Sequence, residues 1–422
     1  MTIAFIITIC GLLLLAYVFD LTAAKTKIPS VILLLVLGWG MKQLTNVFTI
    51  EIPDLSALLP LLGTIGLIVI VLEGSLDLEL NKSKFPLVKK SIVVAVVPMI
   101  FLGFLLAFIF YYFGETDFKK SLTIAIPLCV ISSAIAIPSV MNLTKKNKEF
   151  VIYESSLSDI LGVLFFNFVA LNVTIDFQSF GIFLVQLVVI AIISFVATIC
   201  LSYLLGRIDH NIKFVPIIIL VIMIYAVSKV YHLPALIFIL LFGLFIGNLD
   251  ELKNHDFVKR FKPNRLDGEV KKFKEILIEA TFLIRALFFL LFGFLINTKE
   301  LLDKETFIWS SGIVGAIFLI RFIQLKLSRL PIMPLLFIAP RGLITILLFL
   351  QIDQSDRGPG EIVNKPLIIQ VIVLSSLVLM VGLMLNKRSK EDEEEESLEP
   401  ANSDLFKPNT SSLQEEKEAE KE

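Results

Sequence analysis

Apolar runs long enough to cross a lipid bilayer recur along nearly the whole chain. Of its 422 residues, 56% are hydrophobic, including 36 Phe, and the mean hydropathy is +0.85. A soluble domain cannot hide so much apolar surface, whereas a helix of about 20 apolar residues spans the hydrocarbon layer of a membrane. The pattern therefore predicts an all-α polytopic membrane protein, and we expect no nucleic-acid partner.

Polar residues separate thirteen of these runs. Their predicted bounds are 3–19, 28–45, 55–76, 88–113, 121–141, 150–174, 180–206, 214–230, 232–249, 276–297, 306–325, 331–351 and 367–386. If the N-terminus lies outside, the cytoplasmic loops carry 21 Lys and Arg residues and the outer loops carry 8. Because positively charged loops stay in the cytoplasm, we predict about 13 transmembrane helices with the N-terminus outside and the C-terminus inside.

The composition changes after the last predicted span. From Lys387 onward the chain has 13 acidic and 6 basic residues, a net charge of −7. A segment of this kind cannot bury enough apolar surface to fold. We therefore expect a transmembrane domain over 1–386 and an acidic, disordered cytoplasmic tail over 387–422.

Several ionisable side chains fall inside the predicted spans. They are Glu73, Glu154, Asp159, Glu279, Arg285, Arg321 and Arg341. A charge at this depth is costly unless it has a partner, water or an ion, so such residues usually handle ions or protons. The three cysteines and three histidines form no metal-ligand spacing, and we expect no cofactor and no enzyme activity.

Asp159 is the strongest candidate for a working group. It lies about 15 Å past the charged border at 145–149, near the middle of the hydrocarbon layer. A carboxylate there can hold a proton or a cation, and competition between the two couples their movements. Ser155, one turn back, and Ser158, adjacent in sequence, can add the oxygen ligands that Na⁺ prefers. The alternative is that Arg285 or Arg341, at a similar depth, holds Asp159 as a permanent ion pair.

Glu154 has a different predicted role from Asp159. It lies about 140° around the same helix and closer to the cytoplasm. Arg321 falls at a similar depth in the eleventh span. We expect these two residues to form a buried ion pair that is costly to break. The alternative is that the Arg321 side chain extends to the nearby membrane surface.

Two spans contain residues that interrupt a helix. The fifth has the polar, proline-containing run 132–138, and the twelfth has Ala339-Pro340-Arg341-Gly342. Non-helical backbone at membrane depth is tolerated only where it lines a cavity or is buried in protein. Two interrupted spans in corresponding places point to a transporter built from inverted repeats. We predict that spans 4–6 and 11–13 are such repeats.

Four ordered motifs resemble those of the monovalent cation:proton antiporter superfamily, in particular its sodium/proton exchanger branch. The family motifs are Phe-Glu-Ala-Gly-Leu, Thr-Asp-Pro-Val-Ala-Val, Glu-Ser-Leu-Leu-Asn-Asp and Leu-Arg-Gly-Ala-Ile. In the same order, they resemble residues 72–76, 132–137, 154–159 and 340–344 of this chain.

The resemblance implies a homodimer that works by alternating access in a lipid membrane. A six-helix core, made of residues 88–174 and 306–386, would move against a scaffold made of the remaining spans. The implied location is a cell membrane, specifically the bacterial inner membrane.

The resemblance also implies roles for individual residues. Asp159 would be the carboxylate that binds Na⁺ or H⁺, and Glu154 would pair with Arg321. The interrupted fifth and twelfth spans would cross each other and are called here the first and second crossover. A hydroxyl of the first crossover, from Ser132 or Ser133, would lie near the ion. Arg341 would belong to the second crossover, whereas no role follows for Glu73 or Arg285.

Two departures from the family motifs affect the expected transport. Ser158 replaces the usual Asn, or the Asp of electrogenic relatives, so one carboxylate predicts one-for-one, electroneutral exchange. Ser133 replaces a common Asp, which leaves the choice among Na⁺, Li⁺ and K⁺ open. We expect Na⁺/H⁺ exchange; the alternatives are a K⁺/H⁺ antiporter or K⁺ efflux protein of the same superfamily, and an anion carrier or channel that uses Arg285 and Arg341.

Overall fold

Helices make up most of the chain where its structure is described. The computed structural model describes residues 2–26, 28–49, 54–76, 78, 84–114, 117–141, 143–172, 176–207, 214–231, 233–248, 263–352 and 363–385, and these contain no β-strand. The helices are α1 (Thr2–Thr26), α2 (Ser30–Val47), α3 (Leu58–Leu76), α4 (Phe85–Gly114), α5 (Phe118–Ala125), α6 (Ser133–Ser139), α7 (Lys145–Leu171), α8 (Phe177–Arg207), α9 (Phe214–Val230), α10 (Leu236–Gly247), α11 (Pro263–Phe294), α12 (Thr298–Leu301), α13 (Lys304–Leu327), α14 (Leu343–Gln351) and α15 (Lys365–Leu385). The predicted tail, 387–422, lies outside the described residues.

Many of these helices have the length and composition of membrane spans. Within the described ranges, eight helical segments are long and apolar enough to cross a membrane, and three shorter apolar helices accompany them. The prediction of an all-α polytopic membrane protein is thereby confirmed. The count of thirteen spans and their orientation stay predictions.

One helix extends well beyond its predicted span. The tenth span was expected to begin at residue 276, but α11 begins at Pro263. The added residues include several Lys and Glu, which have good helix propensity and are easily hydrated. Hydropathy marks the part of a helix that lies in lipid, so it misses a helical extension into water.

The fifth and twelfth spans are interrupted, as predicted. In the fifth, α5 passes into a short 3₁₀ turn, Ile126–Leu128, and residues 129–132 are non-helical before α6 begins. In the twelfth, a 3₁₀ turn, Leu335–Phe337, precedes non-helical residues 338–342 and then α14. The two breaks pair directly, because the Ser132 backbone N–H donates to the Pro340 carbonyl at 2.9 Å.

The position of the first break differs from the prediction. The predicted interruption is the run 132–138, but most of that run, including Pro138, lies inside α6. The chain instead leaves the helix before Ser132, where side chains and backbone of other segments satisfy its N–H groups. Ile131 N–H donates to Ser158 Oγ at 3.0 Å, and Ser133 N–H donates to Asp159 Oδ2 at 3.2 Å.

Glycines bring two pairs of helices into close contact. A Cβ added at Gly38 of α2 would lie 2.2 Å from the Leu290 carbonyl oxygen of α11. A Cβ added at Gly243 of α10 would lie 1.8 Å from Ser75 Oγ of α3. Helix backbones in membranes approach closely at such small residues. Besides α10, α3 also contacts α7, which carries Asp159, and α14, which begins two residues after Arg341.

Candidate functional site

The Asp159 carboxylate lies on α7, opposite the first residue of α6. Ser133 donates to Asp159 Oδ2 twice, from its backbone N–H at 3.2 Å and from its hydroxyl. Both residues are buried, with exposures of 2% for Asp159 and 4% for Ser133. Because α6 begins at Ser133, its unpaired N–H groups favour negative charge there. The start of α6 therefore holds one oxygen of the carboxylate.

The other oxygen of this carboxylate is uncommitted. Within the described part of the chain, Asp159 Oδ1 has no hydrogen-bond partner, and neither has the buried Ser132 Oγ. Ser132 Oγ faces the second break, since a Cβ added at Gly342 would lie 2.8 Å from it. Buried oxygens without a partner call for an explanation such as water or an ion. Their chemistry suits a proton or a hard monovalent cation.

The other two serines expected beside Asp159 make contacts elsewhere. Ser158 Oγ accepts the Ile131 N–H at 3.0 Å and so supports the break in the fifth span. Ser155 Oγ donates to the Val151 carbonyl at 2.7 Å, within α7 itself. Neither contact involves Asp159, although a serine that donates its proton keeps lone pairs for an ion.

Arg341 binds backbone carbonyls of both breaks. Its Nε donates to Leu128 O at 2.6 Å, and its Nη1 donates to Ala339 O at 3.0 Å. Leu128 ends the first 3₁₀ turn, and Ala339 follows the second. The carbonyl ends of helical segments are negative, so a guanidinium is favourable at this point. Arg341 thus neutralises the ends of the two interrupted spans.

Arg285 has a partner on the first helix. Its Nη2 lies 3.5 Å from Asp20 Oδ1, and the same oxygen accepts the Ser30 hydroxyl at 2.9 Å. The predicted first span ended at residue 19, so Asp20 was assigned to a loop. The helix α1 in fact continues past it to Thr26. The contacts of Arg285 and Arg341 among the described residues thus go to Asp20 and to carbonyls, not to Asp159.

Glu154 and Arg321 form a buried, two-point ion pair. Arg321 Nη2 donates to Glu154 Oε2 at 2.8 Å, and Nη1 donates to Oε1. Arg321 Nε also donates to the Leu335 carbonyl at 3.2 Å. The exposures are 1% for Glu154 and 3% for Arg321, so the arginine does not reach the surface. The pair joins α7 to α13 and to the 3₁₀ turn of the twelfth span.

A small cavity lies beside this ion pair. Its volume is about 20 Å³, and its polar lining includes Cys129, Ser158, Arg321, Gln324 and Arg341. A cavity of roughly 10–15 Å³ with several polar partners is enough for one water molecule. Sequence reasoning did not identify Gln324, whose amide donates to the Val94 carbonyl of α4.

The remaining predicted charges lie elsewhere. Glu73 is half-buried on α3, and Glu279 is exposed on α11. Among the described residues, no cluster of three or more His, Cys, Asp or Glu side chains could hold a metal ion. The candidate site therefore consists of one carboxylate, Asp159, and nearby hydroxyls.

Comparison with solved structures identifies the fold. The structure of the sodium proton antiporter MjNhaP1 from Methanocaldococcus jannaschii at pH 8 matches with a TM-score of 0.61 and 19% identity, over 91% of this chain and 96% of that chain. A structure of the same antiporter from a 3D EM map matches with a TM-score of 0.59 and 19% identity, over 97% of this chain and 100% of that chain. At this identity the similarity establishes the fold alone.

Two comparisons were made at the level of sequence. The comparison with curated proteins gives no match, whereas the comparison with family models gives one. The model of the sodium/hydrogen exchanger family, transmembrane region, matches residues 10–387, which is nearly the whole membrane part. The chain therefore belongs to the sodium/hydrogen exchanger family, whose members are multi-pass membrane transporters that exchange cations for protons and are not enzymes.

Proposed function

We propose that this protein exchanges Na⁺ for H⁺ at Asp159 by alternating access. The proposal rests on a difference between the two oxygens of this carboxylate. One oxygen is held by the start of α6, and the other has no partner among the described residues although it is deeply buried. Such a group can bind a proton or a monovalent cation. Because its single negative charge is neutralised by either one, the two ions compete for it.

Hydroxyls of the fifth and sixth spans have distinct proposed tasks. Ser132 offers an uncommitted oxygen to the cation. Ser133 orients Asp159, and Ser158 holds the break in position through Ile131. Ser155 supplies a lone pair from the preceding turn of α7, which leaves Na⁺ in a setting made only of oxygen atoms.

The moving part in this proposal is the six-helix core, residues 88–174 and 306–386, and the other spans form the scaffold. The Glu154–Arg321 pair and Arg341 connect the helices of this core to one another. Connections of this type keep the site intact while the core moves as a unit. We propose that the two chains of a homodimer associate in the bacterial inner membrane, with apolar faces such as that of α8 in contact with lipid.

One titrating carboxylate in the site supports one-for-one exchange. The other charged groups near it are already balanced, since Glu154 pairs with Arg321 and Arg341 binds carbonyl ends. Replacement of H⁺ by Na⁺ then leaves the charge of the site unchanged. An anion site has less support, because Arg285 is close to Asp20 and Arg341 is occupied by backbone oxygens.

The test is cation-driven proton movement in everted vesicles, followed by fluorescence dequenching. We expect Na⁺ to release the quench, Li⁺ and K⁺ to act in an order that the experiment determines, and choline to have no effect. Asp159→Asn should abolish the response, whereas Glu279→Gln, at an exposed carboxylate, should preserve it. A K⁺-only response would favour the K⁺/H⁺ alternative, and a response that survives Asp159→Asn would refute the proposal.

A further inference from the structure

We propose that Ser156 is an additional cation ligand and helps determine which monovalent cation is selected. The inference rests on the proposed exchange at Asp159. It names a residue that the family motifs and the sequence reasoning did not single out.

The Ser156 hydroxyl is buried without a partner. Its exposure is 6%, and its Oγ makes no hydrogen bond within the described part of the chain. Three other buried serines in the long helices donate to the carbonyl four residues earlier, Ser155 to Val151, Ser194 to Ile190 and Ser202 to Thr198, whereas Ser91 and Ser376 lack a partner as Ser156 does. An unpaired buried hydroxyl costs free energy, so an ion or water is expected to satisfy it.

Ser156 lies on the same face of α7 as Asp159. Residues three apart on a helix have Cβ atoms about 5–6 Å from each other, which is within reach of one shared ion. Asp159 Oδ1 is also uncommitted. Two buried side chains, each with an oxygen that has no partner, are therefore neighbours on one face of α7.

The neighbouring helix comes close to Ser156 through a glycine. Gly74 of α3 faces Ser156, and a Cβ added at Gly74 would lie 3.1 Å from Ser156 Oγ. Any larger residue at Gly74 would press on the hydroxyl. In the proposed mechanism α7 belongs to the core and α3 to the scaffold, so this ligand lies at the surface along which the core moves.

Ser156 should affect the binding of the cation but not the binding of the proton. A hydroxyl lone pair can ligate a metal cation, whereas the proton is held covalently by the carboxylate. Loss of the hydroxyl should therefore weaken cation binding selectively. The weakening should differ among Li⁺, Na⁺ and K⁺, because their sizes place different demands on ligand number and spacing.

The decisive experiment compares Ser156→Ala with Ser376→Ala in proteoliposomes. Ser376, on α15, is also a fully buried serine whose hydroxyl has no partner among the described residues. We expect Ser156→Ala to raise the KM for Na⁺ about tenfold, or about 1.4 kcal/mol, with Vmax nearly unchanged. The relative KM values for Li⁺, Na⁺ and K⁺ should also change. Ser376→Ala should leave both properties as in the unmodified protein.

A second variant tests the same site from the other side. Gly74→Ala keeps the Ser156 oxygen but crowds it, so it should also raise the KM for Na⁺. If both changes act through one ion, their effects should be non-additive in the double variant. Additive effects would contradict a shared site.

The outcomes distinguish this inference from the proposed function. An unchanged KM in Ser156→Ala, or an equal change in Ser376→Ala, would overturn the inference while leaving exchange at Asp159 intact. Absence of cation-driven proton movement in the unmodified protein would instead overturn the proposed function.

Discussion

At the scale of residues, one oxygen of the Asp159 carboxylate is held in place while the other has no partner among the described residues. Ser133 holds Oδ2 through its N–H and its hydroxyl, and Oδ1 stays free for an occupant. Asp159 could be identified from sequence because a lone carboxylate at mid-membrane depth is costly. Its contacts could not, because Ser133 lies on another span and either Ser132 or Ser133 could have faced it.

Competition at one carboxylate predicts a particular dependence on pH. A lower pH should raise the KM for Na⁺ while Vmax at saturating Na⁺ stays constant, because Na⁺ and H⁺ exclude each other from Asp159. Initial rates over a matrix of Na⁺ concentrations and pH values on the cation side would measure this. A KM independent of pH across the active range would show that the two ions use separate sites.

The Glu154–Arg321 pair should be costly to break from either side. Glu154→Ala or Arg321→Ala leaves a buried charge alone, so each should lower stability by about 3–5 kcal/mol. The double change should recover part of this loss. Thermal unfolding in detergent measures the effect. The matched control is Glu149→Ala, also on α7, whose pair with Lys84 is partly exposed and worth about 0–1 kcal/mol.

At the scale of elements, the two interrupted spans stabilise each other. Each break leaves backbone groups that a continuous helix would satisfy, and these find partners across the crossing, as in Ser132 N–H to Pro340 O. The existence of both breaks was predictable from prolines, glycine and polar residues in apolar runs. Their exact location was not, because it depends on contacts between residues far apart in sequence, such as Ile131 with Ser158.

Gly342 should be more sensitive to substitution than Pro138. A Cβ at Gly342 would lie 2.7 Å from Ile135 Cδ1 and 2.8 Å from Ser132 Oγ. Gly342→Ala must therefore push the interrupted fifth and twelfth spans apart where they meet. We expect a lower Vmax and a lower unfolding temperature. Gly315→Ala, at a site with nothing within 4 Å, is the steric control. Pro138→Ala should have a small effect, since Pro138 lies within α6 and not at the break; a larger loss there than at Gly342 would contradict this account.

At the scale of the whole molecule, hydropathy identified the membrane class, and motif order identified the family. The helix boundaries of α1 and α11 were missed for one reason. Hydropathy marks the end of the apolar run, whereas a helix continues as long as its residues favour helix. For this reason α1 includes Asp20, which lies close to Arg285. The partner of Arg285 could have been found by extending α1 by one turn.

The charge balance of the molecule leads to the final prediction, electroneutral exchange. In the proposed mechanism Asp159 is the group of the described site that changes its occupant, while Glu154 and Arg321 neutralise each other and Arg341 binds carbonyls. Each cycle should then carry one Na⁺ against one H⁺. In proteoliposomes with a clamped membrane potential, the rate of exchange should not change with the potential, and net flux should vanish when the Na⁺ and H⁺ gradients are equal. Vanishing of net flux at unequal gradients would show that the exchange is not one-for-one, and a second ion-binding group would then have to exist outside Asp159.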